Sequence, residues 1–435
     1  MKIYTSTLAL FALALTLALT VALIAPVPPA YALTFTVNTL DDQNDGTCNA
    51  AHCSLREAVL AANSAPSNDT VVFSVSGTIL LGAALPGIPQ DSALTIDGGD
   101  KITIDGGSRV RVLSNSGDLT LRSLTVTNGA VVDDFGGGVF NEGTLTIENS
   151  AFSDNTASAV NASAGGGAIY NGGSLTINAG YFNSNKAVST GSGTAEGGAI
   201  YSAGEFTEVS IQTGTTFKNN QAAHHGGAIF NALGYLTVKD SLFDGNRSAQ
   251  GGGGGIYDRN GAGVTLIHTT LEGNSAEFGG GIFSSAYRTD VRHSTFRNNS
   301  ARSTDGGGIY THSSSVLNIS NSVLAHNAAK NGGGVFALGI ANLTNTTLFG
   351  NSATVSGGGV HAHSELNIQN TTITDSASGG DCTLGNGGRM REISSNNLIA
   401  GTGSDACGLM HGVDGNLIGL EPGSATFSSS PAHLP

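Results

Sequence analysis

The sequence predicts an all-β chain that folds as a single-stranded parallel β-helix, a solenoid of about 12 coils, with a short N-terminal capping helix. Three observations indicate this fold class. One motif recurs nine times, the segments within it alternate apolar and polar residues with period two, and Gly and Asn recur at fixed points of each repeat.

The repeat reads Gly-Gly-(Gly/Ala)-(Ile/Val)-aromatic, then a short alternating run, then (Phe/Leu)-x-x-Asn. Its Ile/Val position falls at Val139, Ile169, Ile200, Ile229, Ile256, Ile282, Ile309, Val335 and Val360. Successive positions are 25 to 31 residues apart. Such a period is typical of a solenoid, in which each unit buries its apolar face against its neighbours.

The alternating runs predict short strands. Leu145-Thr146-Ile147 and Leu175-Thr176-Ile177 place two residues inward and one Thr outward. The repeat block contains no amphipathic helical pattern, which excludes leucine-rich, ankyrin and tetratricopeptide units. We therefore expect three strands per coil, with the Gly pairs at a corner where φ is positive.

The second fixed point of the repeat is an asparagine. We expect these side chains to stack about 4.8 Å apart and to hydrogen-bond along the axis as a structural ladder. Its members are Asn155, Asn185, Asn220, Asn246, Asn274, Asn299, Asn327 and Asn351.

The chain divides into four predicted regions: residues 1–32, 33–92, 93–377 and 378–435. Residues 1–32 combine Lys2, an apolar run and a small-x-small site at Ala30–Ala32, which indicates a signal peptide. An uncleaved anchor helix is the alternative. With the signal removed, no transmembrane segment is expected. The chain is then secreted or held at the cell surface.

Residues 33–92 are expected to cap the first coil. Ser54 and Glu57 have the spacing of a capping box. The following residues place an apolar stripe on one side of a short helix, which would cover the open end of the solenoid. Residues 93–377 are the predicted coils, and residues 378–435 are a C-terminal cap or tail.

Four cysteines in an exported chain indicate disulfides. Their spacing favours pairing Cys48 with Cys53 and Cys382 with Cys407, because other pairings would join the two ends of a long solenoid.

No metal site or cofactor is predicted. Asp41–Gly46 partly matches a calcium loop, but its twelfth position is His52 instead of a bidentate acid. His361 and His363 alternate onto one face without a third ligand nearby. The formal net charge of −14 offers no basic surface for nucleic acid, and we expect a monomer.

Two motifs resemble known families. Cys53-Ser54-Leu55-Arg56-Glu57-Ala58 is similar to the N-terminal domain of exported bacterial CSLREA proteins. The Gly-Gly-Ala-Ile and Phe-x-x-Asn repeats resemble those of chlamydial polymorphic outer-membrane proteins. The first resemblance implies right-handed parallel β-helix repeats of the pectin-lyase-like superfamily. The family's usual C-terminal segment is missing.

The sixth coil is the one place where catalytic residues are considered. It replaces the usual Leu-Thr-Ile run with a charged segment that contains Arg288, Asp290 and Arg292, and Asp258 lies in the preceding coil. An Arg near carboxylates could support β-elimination from a uronic acid, with calcium masking the substrate charge. A surface ion-pair cluster is the competing interpretation.

An aromatic residue follows Ile/Val in nearly every repeat. If Ile/Val points inward, these rings form an outer column. An open column would be a ligand strip for sugar faces, whereas rings beneath loops would be packing. The candidate strip is Tyr170, Tyr201, Phe230, Tyr257, Phe283 and Tyr310.

These features favour a non-catalytic, adhesin-like extracellular or surface protein that presents a repetitive face to glycans or cell-surface components. A polysaccharide lyase or other carbohydrate-active enzyme is the alternative, and a structural envelope component is a third possibility.

Overall fold

The computed structural model describes residues 31–64, 67–204, 207–391 and 393–420. This part of the chain is a right-handed parallel β-solenoid of about 13 turns with almost no helix, which confirms the predicted fold class. The coil number is one higher than expected. Most of the predicted signal peptide, and the tail from residue 421, lie outside the described residues.

Each coil carries up to four short strands, which we number in chain order as faces 1 to 4, starting after the Gly corner. Face 1 is an 11-stranded parallel sheet. Its strands are Leu113–Asn115, Val139–Asn141, Ile169–Asn171, Ile200–Ala203, Ile229–Ala232, Ile256–Arg259, Ile282–Ser284, Ile309–Thr311, Val335–Ala337, Val360–Ala362 and Cys382–Leu384.

Faces 2 and 3 belong to one bent 26-stranded sheet, because two early strands, Ala93–Asp105 and Asp118–Thr127, run across both faces. Face 2 adds Thr34–Val37, Asn68–Phe73, Thr144–Glu148, Ser174–Asn178, Glu208–Gln212, Tyr235–Lys239, Gly263–Ile267, Arg288–Arg292, Val316–Ser320, Ile340–Thr344, Glu365–Gln369 and Arg389–Met390. Face 3 adds Gly77–Leu80, Ala151–Ser153, Tyr181–Asn183, Thr216–Lys218, Leu242–Asp244, Thr270–Glu272, Thr295–Arg297, Val323–Ala325, Thr347–Phe349, Thr372–Thr374, Leu398–Ile399 and Leu417–Ile418.

Face 4 is a nine-stranded sheet of shorter strands. They are Ala130–Val132, Thr156–Ala159, Lys186–Ser189, Gln221–Ala222, Arg247–Ser248, Ser275–Ala276, Ser300–Ala301, Ala328–Asn331 and Ser352–Ser356. A two-stranded sheet pairs Ala164–Gly165 with Ala195–Glu196. The described helices are the α-helix Leu55–Ala62 and the 3-10 helix Gly403–Asp405.

The two-residue period of the strands determines which side chains fill the interior. On face 2, Leu145 and Ile147 are buried while Thr146 between them is not, and the later coils repeat this pattern. On face 3, fully buried phenylalanines of successive coils stack with ring centroids 4.7 to 5.1 Å apart. Such aromatic pairs add about 0.5–1.5 kcal/mol each beyond their buried area.

The asparagines that end face 3 are fully buried and hydrogen-bonded in one direction along the axis. Asn155 Nδ2 donates to Asn185 Oδ1 at 2.9 Å, and the same bond recurs in every coil to Asn351. Each side chain of the ladder from Asn185 onward also donates to a main-chain carbonyl, as Asn185 does to Phe152. Every polar atom of these amides therefore has a partner inside the solenoid.

The coil turns at residues with positive φ. The first Gly of each Gly pair lies there, as at Gly226 with φ +66° and Gly253 with φ +66°. A Cβ on Gly253 would lie 2.3 Å from the carbonyl oxygen of Ile256, so the tight corner requires glycine in both respects.

The N-terminal segment closes the first coil. Ser54 and Glu57 form the predicted capping box, and the helix buries Leu55, Ala58, Val59 and Ala62 in the main hydrophobic core. The structure contains both predicted disulfides, Cys48–Cys53 and Cys382–Cys407. Among the described residues, no helix has the length and apolarity to cross a bilayer.

Candidate functional site

The inner side of face 1 carries a second, shorter amide ladder that the sequence analysis missed. Asn115 Nδ2 donates to Asn141 Oδ1, and Asn141 Nδ2 to Asn171 Oδ1, both at 2.7 Å. The same register position two coils later is Asn231, whose amide donates to Asp258 Oδ1 at 2.7 Å. The sequence contains a signal for this ladder, because Asn141, Asn171, Asn231 and Asp258 each lie two positions after the inward Ile/Val of their repeat.

Asp258 is therefore an interior residue, which corrects its assignment to a candidate catalytic surface. Strand alternation points Ile256 and Asp258 inward and Tyr257 outward. The Asp258 side chain is fully buried, and this burial raises its pKa to about 6, although Asn231 and Gly261 donate hydrogen bonds to it. Asp258 cannot meet a substrate on the outer surface of face 2.

The other three candidates, Arg288, Asp290 and Arg292, lie on the outer side of face 2. Asp290 accepts hydrogen bonds from Arg288 Nε at 2.9 Å and from Arg292 Nη2 at 3.2 Å. Asn318 Nδ2 also donates to Asp290 Oδ1 at 2.8 Å. The carboxylate is thus saturated by donors, and the two guanidinium groups are held in place beside it. The lyase constellation of Arg residues with Asp258 is not assembled.

The aromatic residues of face 1 do form a continuous outer column. Neighbouring rings lie 4.5 to 6.0 Å apart from Phe140 to Phe336, and His361 ends the stack. However, Phe230 is fully buried, and Tyr257 and Phe283 are less than a tenth exposed. Tyr170, Tyr201 and Tyr310 are half-buried. Of the two alternatives, an open ligand strip and rings packed beneath loops, these burials therefore favour packing and contradict the open strip at Phe230, Tyr257 and Phe283.

The rings are covered by residues that directly precede the corner glycines. Phe135 lies 5.4 Å from Tyr170, and Phe278 lies 5.1 Å from Phe283, between ring centroids. His225 stacks on Tyr257 at 4.3 Å. The column is a second small core beneath the turns between face 4 and face 1, which explains why alternation alone overstated its exposure.

Polar groups surround the middle of the column. Burial lowers the pKa of His225 to about 4 and raises that of Tyr257 to about 12. Burial also raises the pKa of the Glu196 carboxyl, against the opposing charge of Arg259, whose guanidinium lies 4.8 Å from the Phe230 ring centroid. His225 and Tyr257 are thus held neutral at pH 7, as suits rings packed away from water.

Open aromatic surface occurs instead on face 2. Tyr235 is 57% exposed and Tyr287 is 75% exposed. Tyr235 pairs in register with Gly263, and the position of a Cβ on Gly263 lies 3.7 Å from the Tyr235 ring and 3.8 Å from the Arg288 carbonyl oxygen. The absent side chain leaves a notch between Tyr235 and Arg288. We name Tyr235, Tyr287, Arg288, Asp290 and Arg292 the face 2 patch.

A shallow polar groove of about 490 Å³ follows the bend between faces 2 and 3 in the central coils. Asp240 and His268 line one side, with 3.4 Å between the carboxylate and the ring nitrogen, and Glu272 pairs with Arg297 on the other. These exposed pairs contribute at most about 1 kcal/mol each, and they add polar binding surface next to the face 2 patch.

Comparison with known proteins supports the repeat architecture. Residues 214–232, 240–259 and 293–312 match the family model of the Chlamydia polymorphic membrane protein repeat. No curated protein and no solved structure matches the chain. Each matched segment contains a ladder asparagine, a Gly corner and a ring of the aromatic column. The chain is therefore a β-solenoid repeat protein whose central coils are similar to that repeat.

Proposed function

We propose that this chain is a surface-type, adhesin-like repeat protein that binds glycans through the face 2 patch. The solenoid and the match to a membrane-protein repeat support a role at the cell surface. The resemblance of Cys53–Ala58 to CSLREA proteins supports export, with a signal peptide at 1–32, a cap at 33–92, coils at 93–377 and a C-terminal cap or tail at 378–435. Membership in the pectin-lyase-like superfamily is part of the same proposal.

The observation that carries glycan binding is the pairing of exposed tyrosines with oriented arginines. Tyr235 and Tyr287 offer ring faces on which the C–H face of a sugar can pack. Arg288 and Arg292 keep further N–H donors beyond those bound to Asp290, and these suit hydroxyl or carboxylate groups. Because strands hold four of the five side chains of the face 2 patch, and Tyr287 directly precedes one of these strands, little ordering entropy is lost on binding.

The patch is also locally basic on an acidic chain. Two arginines and one aspartate give it a formal charge of +1, whereas the whole chain carries −14. This local charge favours a neutral or sparsely acidic glycan, because a densely acidic polymer would be repelled by the rest of the surface. No calcium ion is needed for this mode of binding.

The test is a glycan array followed by calorimetry on the mature chain. We expect Tyr235→Ala and Arg288→Ala each to weaken binding of the best glycan by at least about tenfold, which corresponds to about 1.4 kcal/mol. The matched control is Tyr181→Ala, which removes a 43% exposed ring from face 3. Equal losses of affinity in all three variants would contradict glycan binding at the face 2 patch. If the chain bound no glycan, a structural envelope component would be the remaining function.

A further inference from the structure

Four polar side chains converge in the N-terminal cap, between the first strand of face 2 and the α-helix. They are Asp41, Asp45, His52 and Glu57. The loop Asp41–Gly46 does not match a calcium-binding loop, because its twelfth position is His52. In the folded cap this histidine reaches back to both ends of the loop and to the first turn of the helix.

Three atoms of this cluster have the separations of metal ligands. His52 Nδ1 lies 3.0 Å from Glu57 Oε2 and 3.6 Å from Asp45 Oδ2, and one ligand atom from each residue lies within 4.8 Å of the other two. A tetrahedral zinc ion with bonds of about 2.0–2.2 Å separates its ligands by about 3.3–3.6 Å. The three atoms therefore need little movement to share one ion.

The remaining atoms of the cluster have partners that hold the three ligands in place. His52 Nε2 lies 3.2 Å from Asp41 Oδ1, the carboxylate–histidine arrangement that orients metal-binding imidazoles. Glu57 Oε1 accepts from the Asp45 amide at 2.6 Å, and Glu57 Oε2 accepts from the Ser54 amide at 2.9 Å. Glu57 is 2% exposed, and the Cys48–Cys53 disulfide closes the loop that contains His52.

The environment of His52 Nδ1 also fits a bound cation. This atom is enclosed, although the His52 side chain as a whole is 27% exposed, and it lies 3.0 Å from Glu57 Oε2 without a hydrogen bond. A buried nitrogen lone pair that faces two carboxylates is unfavourable unless a proton or a cation lies between them. The Nε2 contact with Asp41 leaves Nδ1 as the free ligand atom of the neutral ring.

We propose that Asp45, His52 and Glu57 bind one zinc(II) ion, with Asp41 as a positioning residue for His52 and water at the fourth position. A nitrogen ligand favours zinc over calcium and magnesium, which prefer oxygen ligands only. The bound ion would tie the loop to the helix that caps the first coil. Its role is therefore structural.

The test uses the full chain after treatment with a chelator. Competition with a chromophoric chelator should show one zinc ion bound per chain, and Co²⁺ should give the intense visible bands of four-coordinate cobalt. His52→Gln and Asp45→Asn should abolish both signals, and Asp41→Asn should weaken zinc binding about 10- to 100-fold. Zinc should also raise the melting temperature of the wild-type chain, and it should leave that of His52→Gln and Asp45→Asn unchanged.

His268→Gln is the matched control, because His268 lies 3.4 Å from Asp240 in another exposed His–Asp pair. It should retain full zinc binding. Circular dichroism of each variant verifies folding, and zinc-edge absorption of the wild-type chain counts its nitrogen and oxygen ligands without any substitution. Three results would overturn the proposal: no bound ion, zinc binding that survives His52→Gln, or an absorption signal from oxygen ligands alone. The cluster would then be a protonated histidine paired with carboxylates.

Discussion

At the scale of single residues, the two buried ladders differ in whether they contain a group that can be charged. The ladder from Asn155 to Asn351 consists of amides only, which are neutral at every pH. The face 1 ladder has a carboxyl group, Asp258, at an amide position. Burial raises its pKa to about 6, so this one residue makes the stability of the core depend on pH.

We expect Asp258→Asn to change the pH dependence of unfolding. Between about pH 4 and pH 6 the folded chain keeps a proton on Asp258 that the unfolded chain has lost, so this group lowers stability as pH rises through that window. The shift corresponds to about 3 kcal/mol. The unfolding free energy of the variant minus that of the wild type should therefore increase from pH 4 to pH 7 in urea titrations. Asp154→Asn, at an exposed carboxylate, is the control, and a pH-independent difference for Asp258→Asn would contradict this account.

Some residue-level features can be predicted from the repeat pattern, and others cannot. Gly corners and ladder asparagines recur at fixed spacing, so the repeat revealed them directly. The inward direction of Asp258 follows from alternation, whereas its charge alone suggested a catalytic role beside Arg288. His52 joins Glu57 only because the disulfide loop folds back, and no periodic pattern encodes that contact.

At the scale of elements, the aromatic column shows that turn residues can cover the outer side of a sheet. Strand alternation correctly places these rings outside the main core, yet the residues before the corner glycines cover them. The covering positions vary in identity and include Phe135, His225 and Phe278, so the repeat does not display them as a motif. The sequence therefore predicted the column and left open whether its rings are exposed or packed beneath loops.

We expect Tyr257→Ala to destabilise the chain by about 3 kcal/mol, since it opens a cavity between Phe230 and Phe283. Tyr257→Phe keeps the ring and should cost less than about 1.5 kcal/mol. Tyr287→Ala, at a ring that is 75% exposed, should change stability by no more than about 0.5 kcal/mol. Chemical denaturation measures all three, and equal effects of Tyr257→Ala and Tyr287→Ala would refute the packed column.

At the scale of the whole molecule, each coil pairs its strands in register with those of the neighbouring coils, and a few side chains reach further, such as Arg302 to the Ser248 carbonyl two coils away. Ile256 pairs with Ile282 and Ile229 with Ile256, and the ladder bonds repeat at each step. Stability is then close to a sum of similar units and interfaces. The caps are the exceptions, because they alone close the open ends.

Deleting residues 256–281 should therefore leave a folded chain with one coil fewer. Ile282 would take the place of Ile256, and Asn299 would follow Asn246 in the ladder. Deleting only residues 256–268 should prevent cooperative folding, because it removes half a coil and breaks the inward pattern. Circular dichroism and thermal melting distinguish the two, and a folded half-coil deletion would contradict the register argument.

The repeated register determines the length of the solenoid. Each coil advances the axis by about 4.8 Å, so about 13 turns hold the two ends roughly 60 Å apart. Gain or loss of a whole coil changes that distance in fixed steps and leaves every type of contact unaltered. Unequal recombination between the repeats would thus produce longer or shorter solenoids from one gene. In each of them, a patch on one face would lie at a different distance from the end of the solenoid.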